Sequence, residues 1–232
     1  MKRGIKSYLA FTSGLYRWLL FVLAPLAAVG VQVVLAIVAS RGGHTIGDEL
    51  NEFWMLETIL MFGSSMILMM AEILLDGRAF GGIAVKRGGS LDCIKASSRG
   101  RELMRTALRM DMIRMFLESA AVVLLSRAAW TFLGDVAGLW DLKGLFVVAS
   151  TVVCQYFVTV TALLIVRHFD YYGITVGVAC FAYQILGVFA VLAALNCYIM
   201  MAVFAVLSVA VSFFSQWKIM RRVEESFYDK KN

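Results

Sequence analysis

Proline, histidine and charged side chains are all scarce in this chain, and each scarcity excludes something. The 232 residues hold one proline, Pro25, two histidines, His44 and His168, and only 16% charged side chains. No G-x-x-x-x-G-K-[ST] loop is present to cradle nucleotide phosphates, and there is neither an H-E-x-x-H zinc helix nor a G-x-S-x-G nucleophile elbow. The two histidines are expected in loops on opposite sides of the molecule, so they cannot share a metal. Cys93, Cys154, Cys180 and Cys197 are scattered, with no C-x-x-C pair. They read as small apolar packing residues, not as a disulfide framework or a zinc site. A membrane enzyme is disfavoured for want of a nucleophile or metal pattern.

What is present is hydrocarbon. Hydrophobic residues make up 61% of the chain, and the mean hydropathy is +0.80. Residues 171–216 contain no charged side chain. That is about twice the ~20 residues a helix needs to cross a bilayer, so it reads as two spans joined by a tight turn at Asn196. Further spans are expected at 18–40, 53–75, 112–132 and 145–166. Alternation is absent and the runs are too long for strands, so all are expected to be helices. The fold class predicted is all-α: a polytopic membrane protein of about six transmembrane helices, forming one membrane domain over 1–232. Pro25 is expected to kink the first span without breaking it. The basic start with its apolar stretch reads as a retained span and not a cleaved signal. Residues 4–16 mix apolar and polar positions in the manner of a short interfacial helix.

Lysine and arginine set the orientation. The basic clusters at 2–17, 78–109 and 218–231, with Arg167, fall on one side, leaving only Arg41 and Lys143 on the other. Both termini are therefore expected in the cytoplasm, with 1–17, 76–111 and 217–232 as the cytoplasmic pieces. The net charge of +6 is then mostly topological, and nucleic acid is not expected as a partner.

The segment 76–111 is the one extramembrane piece large enough for an elaborate role. Gly88 and Gly89 permit a turn, Ser90 suits an N-cap, and a short helix would present Leu91 and Ile94. After Ser97 and Ser98 a second helix begins near Arg99. Arg101, Arg105 and Arg109 occupy one face of it and Leu103, Ala107 and Leu108 another, and it bends from the interface into the third span. The order Lys86-Arg87-Gly88-Gly89-Ser90-Leu91-Asp92-Cys93-Ile94-Lys95-Ala96-Ser97-Ser98-Arg99-Gly100-Arg101-Glu102-Leu103 resembles the segment after the second span in type-2 ATP-binding-cassette (ABC) exporter permeases. The charged pair here is wholly basic where that family usually carries an acid, and Ser98 stands near the family's usual proline.

The resemblance implies a coupling helix seated in a groove of an ABC ATPase subunit. Leu91, Ile94 and Leu103 would supply apolar docking contacts, and Ser90, Asp92, Arg99, Arg101 and Glu102 polar ones. It also implies a second permease subunit, in a homodimer or heterodimer. ATP and Mg would be bound by the partner ATPase, with no cofactor on this chain, which would itself be a transport subunit and not an enzyme. The cargo class that suits the spans is hydrophobic or amphipathic: peptide, lipid or drug.

Ionisable and amide groups within spans are functional candidates by default. Glu57 and Glu72 lie about one turn inside the two ends of the second span, where each could reach headgroups or a neighbour. Arg114 and Glu118, four apart on one helix, are positioned to pair. Arg127 is expected to snorkel outward. Gln155 and Gln184 are expected to bond between helices. Met61, Met66, Met69 and Met70 crowd the second span, as packing or as a soft lining for a hydrophobic cargo. The competing reading is a six-span binding, immunity or assembly protein without a motor, its basic helix resting on membrane lipids.

Overall fold

Apolar runs without alternation can satisfy their backbone in hydrocarbon only as helices, and helices are what form. The computed structural model describes residues 2–41, 64, 66–72, 99–133, 140–168 and 198–228. Helix α1 spans Lys2–Phe11 and α2 Gly14–Trp18. A π turn at Leu19–Leu23 leads into α3, Ala24–Arg41. Then come α4, Met66–Ala71; α5, Gly100–Leu133; α6, Leu142–His168; and α7, Tyr198–Tyr228.

Local chemistry explains the breaks. The Ser13 hydroxyl accepts from the Tyr16 amide at 3.2 Å and caps α2, so the expected interfacial helix at 4–16 is divided into two. Pro25 has no N–H and its ring crowds the carbonyl one turn back. The π turn just ahead of it widens the helix there and lets the rod continue. No glycine or proline follows Gly100 until after Leu133, and α5 is accordingly one uninterrupted helix. The helix expected to begin near Arg99 and lead into the third span is thus continuous with that span. Likewise α6 carries its helical backbone through His168, which is not in a loop, and α7 runs on well past Gln216.

Side-chain contacts fix the directions. Ala24 and Ala28 cluster with Leu68 and Val122, and the Trp130 indole N–H donates to Gln32 Oε1 at 3.1 Å. Helices α3 and α5 thus run parallel. Glu72 meets Arg114 while Leu68 meets Val122, so α4 runs the opposite way. Val148 and Val152 pack on Val123, and the Tyr156 ring meets Phe116 edge-on, which makes α6 antiparallel to α5. Gln216 reaches Met112 and Ile219 and Met220 pack with Met104 and Leu108, so α7 is antiparallel too. Tyr8 joins that last cluster and Gly4 approaches Met110, docking α1 on the first turns of α5.

Four helical stretches among the described residues are long and apolar enough to cross a membrane: Gly14–Val38, Gly100–Leu133, Gly144–Thr161 and Ile199–Arg221. They mark a membrane-embedded protein. Leu26, Leu117, Val206 and Phe213 stand outward and exposed, an arrangement suited to lipid and not to water. On the exposed face of α5, arginine gives way to hydrocarbon between Arg109 and Ile113; on α7 the same change falls between Lys218 and Trp217. These two crossings lie at one end of the bundle.

Candidate functional site

Just inside that end, a guanidinium is buried among carboxylates. At about 1.5 Å per helical residue, Arg114 lies about 7 Å along α5 beyond Arg109. Its side chain is 7% exposed. Arg114 Nη1 and Nη2 donate to Glu72 Oε1 and Oε2, both at 2.6 Å. This is the paired fork that a planar guanidinium makes and an ammonium cannot. Arg114 Nε and Nη2 donate to Asp111 Oδ1 at 3.1 and 2.9 Å, and Nη1 to Glu118 Oε2 at 2.6 Å. A guanidinium has five N–H groups, and these contacts engage all of them. The Phe21 ring covers the group, its centroid 5.6 Å from Cζ, and Tyr8 packs edge-on against Phe21 at 6.2 Å.

Four elements therefore meet at one ion cluster: α1 through Tyr8, the π turn through Phe21, the end of α4 through Glu72, and α5. Asp111, Arg114 and Glu118 follow at i, i+3 and i+7 on α5, which places them on one face. Glu72 comes from 42 positions away in sequence. Of the two partners expected for it, a headgroup or a neighbouring side chain, it takes the neighbour: it is 3% exposed and faces the bundle interior. Arg114 and Glu118 pair as expected, but as part of a larger network. Glu118 Oε1 is buried without a hydrogen-bond partner, since Arg114 has no donor left for it.

Other candidates are placed differently. Arg127 is fully buried and does not snorkel outward. It follows Val123 and precedes Trp130 on the interior face of α5, so its side chain starts inward. Gln155 is buried with both amide atoms unpartnered, contrary to the expected interhelical bond; its neighbour Tyr156 makes that bridge instead, to Ser212 at 3.2 Å. The bond from Trp130 to Gln32 goes beyond the sequence-based expectations, although a glutamine inside an apolar span is itself a signal. Met69 is wholly buried and Met70 partly exposed, which fits packing and lipid contact. Cys154 is buried.

At the start of α5, the Arg99 carbonyl accepts from the Leu103 amide at 3.0 Å. Arg99, Arg101, Glu102 and Leu103 are all exposed there. Leu103 does not share a face with Ala107 and Leu108, which are buried; Met104 takes its place in the core. Ser90, Leu91, Asp92, Ile94, Glu57 and Gln184 lie outside the described residues. The same holds for the expected fifth span. The described residues include no cluster of histidine, cysteine and carboxylate able to hold a metal. The chain matches no family model, no curated protein and no solved structure.

Proposed function

We propose that this chain is the membrane-spanning subunit of an ATP-driven exporter of the type-2 ABC kind. In this reading it has six spans, both termini lie in the cytoplasm, and it works in the cell membrane beside a second permease subunit. A separate ATPase would bind ATP and Mg and hydrolyse the nucleotide. The cargo would be hydrophobic or amphipathic.

The observation that carries the reading is the junction at Arg99–Leu103. The residue order resembling a coupling segment runs directly into α5, and α5 continues without interruption to Leu133. A push at its first turn would travel along a rigid rod to the Arg114 cluster. There the Glu72–Arg114 ion pair ties the end of α4 to α5, so that both helices would move as a unit. Further support comes from chain direction. Helices α6 and α7 run the same way, which suits one more crossing between them.

The test is to replace Leu91 and Ile94 together by Asp. The expected result is loss of ATPase co-purification and of transport-stimulated hydrolysis, with helix content retained. Unchanged capture of the ATPase contradicts the docking assignment.

A further inference from the structure

The basic end of the bundle has a second use that does not depend on an exporter. Packing of Met104, Ala107 and Leu108 on Ile219 and Met220 brings the start of α5 beside the far end of α7. Arg105, Arg109 and Lys218 are neighbours of those core residues in sequence, and each is exposed. Among the described side chains at this end, Glu102 is the one exposed acid. Below these cations the exposed residues are Ile113 on α5 and Phe214 and Trp217 on α7. Lys218 Nζ sits 6.0 Å from the Phe214 centroid and Arg221 Cζ 5.5 Å from that of Trp217. An aromatic ring with a cation over it is the arrangement favoured where one side is hydrocarbon and the other wet.

We propose that Arg105, Arg109 and Lys218 bind the phosphates of anionic phospholipid headgroups, with the acyl chains lying against Ile113 and Phe214. Charge complementarity selects this occupant. The cations stand where the exposed face changes from charge to hydrocarbon, which is the level of a headgroup phosphate. A basic residue at that level is worth roughly a fivefold preference for an anionic lipid, and three together more than tenfold. Added salt weakens the preference, because the groups are exposed.

The full chain in detergent is titrated with phosphatidylglycerol, phosphatidylcholine and glycerol phosphate, and bound lipid is counted by native mass spectrometry. Phosphatidylglycerol is expected to bind at least about tenfold tighter than phosphatidylcholine, and glycerol phosphate at equal concentration to leave it bound. The Arg105→Gln, Arg109→Gln, Lys218→Gln variant loses the preference while its circular dichroism is unchanged. The charge-conserving Arg105→Lys, Arg109→Lys, Lys218→Arg variant keeps it. Equal binding of the two lipids, full competition by glycerol phosphate, or a glutamine variant that retains the preference overturns the proposal. So does loss of ATPase capture by that variant with its lipid preference intact, since the rim would then serve a protein.

Discussion

Arg114 has no idle donor, and that sets what its loss should do. Arg114→Leu leaves three buried carboxylates without a counter-charge, and breaking a buried pair in this way costs about 3–5 kcal/mol. Arg114→Lys keeps the charge but loses the paired fork to Glu72, and should fall between. Glu118→Gln should cost far less than either, because one of its oxygens already lacks a partner. Denaturant unfolding of the three variants in mixed micelles orders them; equal losses would show that the cluster is not a unit. The Trp130→Phe change removes the bond to Gln32, and should cost about 0.6 kcal/mol, the average for bonds between helices in membranes, and no more than about 1.7 kcal/mol. Only part of this chemistry is legible in the sequence. The i, i+4 spacing of Arg114 and Glu118 announces their pairing, whereas nothing local announces Glu72, whose contact depends on how α4 packs. Arg127 shows the limit from the other side: snorkelling is a property of residues on an outward face, and the face is set by tertiary packing.

Helices and their ends are more legible than their partners. Apolar runs place α3, α6 and the first part of α7 closely, and Pro25 marks the site of the π turn. The lack of glycine or proline from Arg101 to Leu133 is plain in the sequence, but the charges there make the third span look weaker than it is. The reason is physical. Asp111, Arg114 and Glu118 find their partners inside the bundle, so charge here does not report a helix boundary. The docking of α1 depends on close approach at Gly4, where an added Cβ would meet Met110 Cγ at 2.8 Å. Gly4→Leu should release α1 from α5 and speed tryptic cleavage at Lys6 in detergent. Gly14→Leu, at a position with nothing within 4 Å, should not; equal protection of both variants contradicts the docking of α1 on α5.

For the whole molecule, the described elements form one bundle in which α3 and α5 run one way and α4, α6 and α7 the other. Charge collects at one end, and the ion cluster lies just inside it. In the proposed role α5 would be a rod driven from this basic end, with the Glu72–Arg114 pair holding α4 in step. The membrane location is legible in composition alone, because long uncharged runs have no stable place in water. The proposed role rests on the short order of residues leading into α5, and Leu103, exposed on the first turn, is the described apolar side chain within it. A photo-crosslinker at position 103, activated with the cognate ATPase present, tests the account most directly: it predicts a covalent adduct with the ATPase subunit, and an adduct with lipid alone would contradict it.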